Sequence, residues 1–285
     1  MGFNKIVVCS HPNVPDAASE SENVANYLKE FGVEAVYGSI YDPDIRQRTE
    51  KGEFDLFIAL GGDGTMLRAG HLCAPHNLPI LGINLGRFGF LTEFGRDQWK
   101  EMIPRLINGE YWIETRMMLR CEHRSNDIIQ GGWEVVNEAV VGRGVICRPV
   151  QLTTYVDQRL LTTFVADGLI VATPTGSTAY ALAAGGPILP PELRNILIVP
   201  LAPHLSIDRS IILSEGASVS IIVHTQHQSV LCVDGKAPIP LQDGDRVDVR
   251  AGSHMVKFVR FQDPGYFYRN LTPHMNQNPS TGITR

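Results

Sequence analysis

The sequence predicts a Rossmann-like α/β domain with a parallel sheet, followed by a β-rich domain. Apolar runs of strand length alternate with helical patterns up to about residue 112, as in a parallel sheet covered by helices. From Arg116 to Arg260, short runs rich in Val, Ile, Leu and Thr are separated by Gly, Pro, Asp and Asn. A chain of 285 residues has room for two cores. We therefore place the first domain at residues 1–112 and the second at 113–257, with residues from about 258 to 285 packing back on the first domain.

The elements of the first domain follow from hydrophobic periodicity. Residues 6–9 form a short β-branched run, and residues 55–60 form a near-continuous apolar run typical of a buried parallel strand. Gly32 follows a segment with helical spacing, in the position of a helix-ending glycine. The predicted strands are Lys5–Ser10, Val33–Tyr37, Asp55–Leu60 and Leu78–Asn84, and the predicted helices are Ala17–Phe31 and Met66–Cys73, the latter with Thr65 as its N-cap.

The second domain is predicted from many short runs at the rhythm of an all-β fold. One helix interrupts them, from near Ser177 through Ala184, and Gly185-Gly186-Pro187 ends it. Residues 276–285 are polar and are expected to form a frayed tail. The predicted strands are Glu134–Val141, Leu152–Val156, Ile196–Val199, Ser218–Val223, Ser229–Val233 and Arg246–Arg250.

Composition excludes several classes of protein. Hydrophobic residues make up 44% and charged residues 19%, which is typical of a globular protein. The net charge is −5 and there is no basic stripe, so a nucleic-acid partner is not expected. No apolar run approaches the ~20 residues of a membrane span. The five cysteines are scattered without a C-x-x-C pair, which argues against a disulfide framework and a zinc site. We expect a soluble, cytoplasmic protein.

A glycine-rich loop carries the first chemical signal. Gly61-Gly62-Asp63-Gly64-Thr65 follows a predicted strand, at the edge where open parallel sheets bind ligands. Glycines let backbone N–H groups approach phosphate oxygens, and a helix N-terminus adds positive potential. An aspartate there can hold a metal ion or accept the proton of an attacking hydroxyl. The alternative is a tight turn with a solvated aspartate. The loop is not a P-loop, because no Lys-Ser/Thr closes it.

A second motif narrows the family. Gly-Gly-Asp-Gly-Thr resembles the signature of NAD kinases, of diacylglycerol and sphingosine kinases and, more loosely, of phosphofructokinases. The segment from Asp167 to Tyr180, continued to Pro187, closely resembles the NAD-kinase signature alone. Shorter segments resemble further parts of that family, namely Asn84–Leu91, Val136–Val141 and the turn Val233-Asp234-Gly235.

The resemblance implies an α/β N-terminal domain, a β-sandwich C-terminal domain and a site in the cleft between them. It implies NAD and ATP as substrates, a divalent cation such as Mg²⁺, and a homodimer or homotetramer with shared sites. By the same resemblance Asp63 is the base, Asn137 and Glu138 bracket the ribose, and Arg68 and Arg148 are candidate phosphate-binding cations. Gly61, Gly62, Gly64 and Thr65 form the phosphate loop, and the remaining cofactor-binding residues are Asp167, Thr175, Thr178, Ala179, Tyr180, Ala181, Leu182, Ala183 and Lys236.

The chain departs from the family pattern at two positions. Val165 stands where many relatives carry a basic residue, and Gly142 stands where many have a histidine. Two other functions remain open at this stage, a lipid kinase that shares the glycine loop and a non-catalytic NAD sensor. A lipid kinase would leave the second motif unexplained, and a sensor would gain nothing from Asp63. The choice between ATP and polyphosphate, and between NAD and NADH, is also open.

Overall fold

A computed structural model describes residues 2–86, 89–145, 148–204 and 207–275. The chain forms two compact units. Unit 1 contains the residues up to Thr115 and those from Val256 onward, and unit 2 contains Arg116–Met255. Among the described residues, no helix is long and apolar enough to cross a membrane.

Unit 1 begins with alternating strands and helices. Its first elements are β1 (Lys5–Ser10), α1 (Ala17–Glu30), β2 (Glu34–Ser39), α2 (Pro43–Glu50), β3 (Leu56–Leu60), α3 (Asp63–Cys73), β4 (Ile80–Asn84), β5 (Phe94–Gly95) and α4 (Trp99–Ile107). The strands pair in parallel in the order β2-β1-β3-β4-β5. The predicted parallel α/β sheet is confirmed.

The core of unit 1 follows from strand alternation. Leu81 and Ile83 of β4 pack in one cluster with Val24 and Leu28 of α1 and with residues of α4. The residue between them, Gly82, faces the opposite side, because successive strand residues point to opposite faces. A Cβ on Gly82 would lie 2.7 Å from the sulfur of Met66 in α3. Helices therefore cover both faces of the sheet, and the glycine allows α3 to approach β4 closely.

Unit 2 consists mainly of antiparallel strands. The elements that follow α4 are β6 (Trp112–Ser125), β7 (Ile128–Val135), β8 (Glu138–Arg143), β9 (Val150–Val156), β10 (Arg159–Ala166), β11 (Gly168–Ala172), α5 (Tyr180–Ala183), β12 (Asn195–Leu201), β13 (Ile211–Ser214), β14 (Ser218–His224), β15 (Ser229–Val233), β16 (Ile239–Leu241), β17 (Arg246–Arg260) and α6 (Tyr266–Met275), the last of which belongs to unit 1.

Two sheets form unit 2. In one, the order is β10-β9-β14-β17, and β6 pairs with β17 and β7. In the other, six antiparallel strands are ordered β13-β12-β11-β8-β15-β16. Phe164 and Ile221 of the first sheet pack in one buried cluster with Val171 and Leu231 of the second. This packing is that of a β-sandwich, and the predicted fold class of the second domain is confirmed.

Three predicted elements were wrong in detail. The predicted strand Glu134–Val141 is two strands, because β7 ends at Val135 and β8 begins at Glu138. The predicted helix from Ser177 to Ala184 is a 3₁₀ turn, Thr175–Thr178, followed by the single turn of α5. The backbone of Ala179 is not helical, and the Ser177 hydroxyl bonds to the carbonyls of Pro174 and Leu189, so side-chain bonds compete with a longer helix.

The third correction concerns the start of α3. The predicted N-cap was Thr65, but the helix begins at Asp63 with Gly62 as N-cap. The amides of Thr65 and Met66 bond to the Gly62 carbonyl at 2.9 and 3.1 Å, which extends the helix toward the strand. The predicted tail, residues 276–285, lies outside the described residues, as do Arg87 and Phe88 of the segment Asn84–Leu91.

Candidate active site

The glycine loop of unit 1 joins β3 directly to α3. Gly61 has φ +154°, and a Cβ there would lie 2.3 Å from the Thr65 hydroxyl oxygen, so the turn requires glycine. Thr65 itself is buried against this turn. Asp63 is the first residue of the helix, and the amides of Asp63 and Gly64 precede the first helical bonds, which Thr65 and Met66 donate to the Gly62 carbonyl. The loop therefore presents a helix N-terminus with a carboxylate in its first turn.

The Asp63 carboxylate is fixed by a second segment of unit 1. Its Oδ2 accepts the Phe90 amide at 2.9 Å, and its Oδ1 accepts the Leu91 amide at 3.0 Å. A Cβ on Gly89 would lie 2.0 Å from Asp63 Oδ1, so only glycine allows this approach. The separation of Asp63 and Leu91 in sequence does not indicate this contact, although Gly89-Phe90-Leu91 belongs to a segment that resembles the family.

Arg68 lies one turn further along α3. Its Nη1 donates to the Gly64 carbonyl at 2.8 Å, and its guanidinium lies 6.0 Å from the centre of the Tyr41 ring. The structure thus brings four predicted site residues together in the first two turns of α3: Asp63, Gly64, Thr65 and Arg68.

In unit 2, the Asp234 carboxylate fixes the backbone of Asn137 and Glu138, called here the Asn-Glu motif. Its Oδ2 accepts the Val136 amide at 2.8 Å, and its Oδ1 accepts the amides of Asn137 and Glu138 at 2.8 and 3.0 Å. These three bonds form where β7 ends and β8 begins, which is why the predicted single strand is interrupted there. Asp234 is in a left-handed conformation, φ +47°, in a tight turn with Gly235. The sequence singled out this turn but not the function of its carboxylate.

Glu138 is a buried carboxylate with an unused oxygen. The residue is only 7% exposed. Its Oε2 has no hydrogen-bond partner among the described residues. Burial, then the negative charge of Asp234, raise the pKa of Glu138 to about 7, although the Tyr180 amide opposes the shift. An uncompensated buried acceptor of this kind is suited to a ligand hydroxyl.

A cavity of about 700 Å³ opens beside Glu138. Arg143 lines it and is 2.9 Å from Asp167, measured from Nε to Oδ1. Tyr180, which is half exposed, lines it as well. Arg143 was missed by the sequence prediction, which singled out only its neighbour Gly142. The other lining residues are Val140, Gly142, Gly144, Leu201, Ala202, Val230, Cys232 and Gly235.

The second motif packs tightly against the Asn-Glu turn. A Cβ on Gly176 would lie 2.2 Å from the Asn137 carbonyl oxygen. Thr173 bonds to this turn twice, from its amide to Asn137 at 2.8 Å and from its hydroxyl to Val136 at 2.6 Å. The motif and the turn therefore form one rigid part of unit 2.

Not all predicted residues of the second motif face the cavity. Thr175 is buried, and the Thr178 hydroxyl bonds to its carbonyl at 3.2 Å. Ala179 and Leu182 are half-buried, and Ala183 is exposed. Ala181 is fully buried in a cluster on the outer face of the second sheet, so its side chain supports α5 rather than a ligand.

Two predicted cations lie elsewhere in unit 2. Arg148 contacts His227 at 3.3 Å and lines a different cavity of about 520 Å³ with Gln151 and His224. Lys236 is exposed directly after Gly235, and its amide bonds to the Val233 carbonyl. Of the basic side chains that the structure describes, Arg143 is the one that lines the cavity beside Glu138.

The residues of the site are better suited to a metal ion that is coordinated mainly by substrate phosphates than to one coordinated by protein side chains alone. In the part of the chain that the structure describes, no group of three His, Cys, Asp or Glu residues could hold a metal ion. Mg²⁺ usually keeps several waters and binds through one or two carboxylates and the phosphates of its substrate. Asp63 supplies such a carboxylate beside the glycine loop.

Solved structures share this fold. The crystal structure of yeast NADH kinase complexed with NADH superposes with a TM-score of 0.81 at 24% identity, covering 100% of this chain and 91% of that one. The structure of an NAD kinase from Archaeoglobus fulgidus in complex with ATP gives 0.74 at 25% identity, covering 94% and 97%. The chain therefore has the fold of these NAD(H) kinases.

Sequence comparisons give the family. Residues 21–111 match the ATP-NAD kinase N-terminal domain, and residues 136–261 match the C-terminal domain. An NAD kinase of Chloroflexus aurantiacus is 37% identical over 282 residues, 97% of this chain and 100% of the relative. One of Dehalococcoides mccartyi is 34% identical over 277 residues, 97% of each chain. This chain belongs to the NAD kinase family, a family of phosphotransferases, and neither a lipid kinase nor a non-catalytic sensor is supported.

Proposed function

We propose that this chain transfers the γ-phosphoryl group of ATP to the 2′-hydroxyl of the adenosine ribose of NAD, with Asp63 as the base. The observation that carries this proposal is the position of the Asp63 carboxylate. It lies at the N-terminus of α3 and is fixed there by the backbone amides of Phe90 and Leu91. A base for phosphoryl transfer has to be held in position, because positioning and electrostatics supply most of the catalysis.

The carboxylate keeps the capacity to accept a proton. An ionised carboxylate has about four acceptor positions, and the amides of Phe90 and Leu91 occupy two of them. In the proposed step the ribose oxygen forms a bond to the γ-phosphorus, and the bond from that phosphorus to the ADP oxygen breaks. The hydroxyl proton passes to Asp63. Atoms and charge balance without a further reactant.

The phosphates of ATP are proposed to lie at the glycine loop. Gly61, Gly62 and Gly64 allow close approach, the amides of Asp63 and Gly64 at the start of α3 can donate, and Arg68 adds a positive charge. A divalent cation bound through these phosphates would offset their charge beside the glycine loop.

The nucleoside is proposed to bind in the cavity of unit 2. The free Oε2 of Glu138 in the cavity can accept a ribose hydroxyl, and the neighbouring Asn137, which does not line the cavity wall, is proposed to donate to or accept from another. Asp167 is proposed to accept the exocyclic amine of a base, with Arg143 holding it in place, and Tyr180 offers an aromatic face. Thr175, Thr178 and Ala179 are proposed to hold neighbouring groups, and Lys236 the edge of the site.

The remaining expectations stand as part of the proposal. They are a cytoplasmic enzyme, a homodimer or homotetramer in which two chains contribute to one site, and a role of Arg148 in phosphate binding. Arg148 contacts His227, whereas Arg68 bonds to the Gly64 carbonyl of the glycine loop. The structure therefore supports phosphate binding by Arg148 less directly than phosphate binding by Arg68.

Substitution of Asp63 tests the proposal. Asp63→Asn should lower kcat by about 10²- to 10⁴-fold while NAD still binds, measured by coupled NADP formation and by calorimetry. Asp55→Asn is the matched control, since Asp55 also accepts two backbone amides in unit 1, those of Asn4 and Lys5 at 3.0 Å each. An Asp63→Asn enzyme within a few-fold of the wild type would exclude the base role. Parallel assays with polyphosphate and NADH decide the donor and acceptor.

A further inference from the structure

We infer that Arg260 is a positioning residue for Asp63, acting through the segment from Gly89 to Thr92. The inference rests on the proposed role of Asp63 as the base. It concerns a residue 169 positions away in sequence from the peptide that it holds.

The connection runs through a single residue. Leu91 donates its amide to Asp63 Oδ1 at 3.0 Å, and its carbonyl accepts from Arg260 Nη1 at 3.1 Å. The same nitrogen is 3.5 Å from the carbonyl oxygen of Thr92. The guanidinium and the carboxylate of the base are therefore separated by one residue's backbone.

The segment depends on such side-chain bonds for its position. Residues 89–92 belong to no helix or strand of the described structure, and the sheet holds the segment at its end, where the Glu93 amide bonds to the Gly82 carbonyl of β4. Asp63 and Arg260 bond to it from two sides, and Gly89 lies in direct contact with the Asp63 carboxylate. A shift of the Leu91 peptide would move the amide that orients the base. Misplacement by about 1 Å can cost 10²-fold in rate.

Arg260 is itself held rigidly. The residue is 1% exposed. Its Nη1 is 3.0 Å from Glu93 Oε2 and its Nε is 2.9 Å from Glu114 Oε2. The Tyr266 hydroxyl of α6 donates to the other Glu114 oxygen at 2.8 Å. Glu93 and Glu114 compensate the charge of this buried guanidinium and fix its Nη1 and Nε, whereas its buried Nη2 has no hydrogen-bond partner among the described residues.

Glu93 also connects the network to the sheet. Glu93 accepts the amides of Phe261 and Gln262 at 2.8 and 3.1 Å, and its own amide bonds to the Gly82 carbonyl of β4. Arg260 thus joins the end of β17 to the segment that holds the base. A lysine could keep the charge but could not bond to Leu91, Glu93 and Glu114 at once, because it lacks the planar fork.

Arg260→Lys, alone and combined with Asp63→Asn, tests the inference. We expect kcat to fall about 10-fold or more in Arg260→Lys, with KM for NAD changed by less than about 3-fold. In the Asp63→Asn background the same substitution should have no further effect on the residual kcat, because residues acting through one group are not additive. All rates are expressed per folded molecule, measured by near-UV circular dichroism.

Two other variants complete the test. Tyr266→Phe removes one hydroxyl from the network, and we expect a smaller loss of kcat, about 2- to 5-fold, abolished in the Asp63→Asn background; it replaces Arg260→Lys if that variant does not fold. Trp99→Phe is the control, since it removes a buried 2.7 Å bond to Glu20 in the same unit and should leave kcat unchanged.

The outcomes separate the two proposals. Additive losses of kcat in the double variant, or a wild-type kcat per folded Arg260→Lys molecule, would overturn the positioning role of Arg260. An active Asp63→Asn enzyme would instead overturn the proposed base, whatever Arg260→Lys does.

Discussion

Replacing Glu138 by glutamine should stabilise the ligand-free protein at alkaline pH and weaken its binding of NAD. Burial and the charge of Asp234 raise the pKa of Glu138 from its ordinary 4.5 to about 7. The folded protein therefore holds a proton there that the unfolded chain has released between these pH values. Stability falls as the pH rises through this interval, because the unfolded state binds fewer protons than the folded one. Above pH 7 the loss of folding stability caused by Glu138 no longer increases, because the carboxyl is then ionised in both the folded and the unfolded state.

The magnitude follows from the pKa change. Each pH unit between the two pKa values costs about 1.4 kcal/mol, so the ionised side chain destabilises the fold by about 3 kcal/mol at pH 8. Most of this cost is absent at pH 5. Glutamine carries no charge at either pH. We expect Glu138→Gln to gain about 2 to 3 kcal/mol relative to wild type between pH 5 and pH 8, or roughly 5 to 10 °C in Tm.

Thermal unfolding of both proteins at pH 5 and pH 8, without nucleotide, measures this difference. Glu122→Gln is the matched control, because the pKa of Glu122 is shifted in the opposite direction to that of Glu138. Burial raises the pKa of Glu122, but ion pairs with Arg124, Arg120 and Arg250 outweigh it and hold that pKa below its ordinary value. Loss of this charge should destabilise the protein at both pH values.

An equal Tm difference at pH 5 and pH 8 for Glu138→Gln would refute the reasoning, since the effect would then not depend on ionisation. Calorimetry at pH 8 should show NAD binding weakened by roughly 1–3 kcal/mol, the scale of charged hydrogen bonds. A variant more stable at pH 8 with unchanged NAD affinity would remove Glu138 from the site while leaving the linkage intact.

Three further predictions follow from the contacts described above. Asp234→Asn should weaken NAD binding and lower stability by about 2–4 kcal/mol, because an amide cannot accept all three backbone bonds at residues 136–138 and its NH₂ would face an N–H donor; calorimetry and urea unfolding measure both. Gly89→Ala should lower kcat by about 10-fold or more, since its Cβ would displace the Asp63 carboxylate. Co-expression of Asp63→Asn with Tyr180→Ala should restore activity in up to about a quarter of sites, if two chains complete one site in a two-fold symmetric assembly.

Controls keep these predictions specific. Gly216→Ala, where an added Cβ meets nothing within 4 Å, should leave kcat unchanged beside Gly89→Ala. Full activity of Gly89→Ala would show that the carboxylate tolerates displacement. Wild-type NAD affinity in Asp234→Asn would mean that the turn does not order the ribose site. Lack of complementation, or a monomer in sedimentation, would exclude a site shared between subunits.

Local pattern predicted much of the fold. The bounds of β1 and β15 coincide with the predicted strands Lys5–Ser10 and Ser229–Val233, because each run is apolar or alternating and ends at polar or turn residues. α2 was missed because it buries only Ile45 and Thr49 and so has no apolar stripe, although Asp42 before Pro43 gives a helix-start signal. α4 was missed despite the helical spacing of its buried residues, Trp99, Ile103 and Leu106.

The candidate site was predictable only in part, since several of its contacts join distant segments. The motifs supplied Asp63 and Glu138. Nothing near residue 234 in sequence indicates that its carboxylate captures amides 96 to 98 positions earlier. Arg143 and Arg260 are likewise defined by their partners Asp167 and Leu91. Such contacts depend on how the chain folds back on itself, and local pattern carries no information about them.

The order in which the ribosome makes this chain bears on when unit 1 is finished. Glu114 is synthesised 146 residues before Arg260, its buried partner. At about 5–20 residues per second, that interval lasts roughly 7 to 30 seconds. Until then the Glu93 carboxylate lacks the Arg260 guanidinium and the amides of Phe261 and Gln262, and burying a carboxylate without its partners is strongly unfavourable. The nascent unit therefore stays incomplete while the whole of unit 2 is being made, and a product terminated before Arg260 cannot assemble the network beside its aspartate.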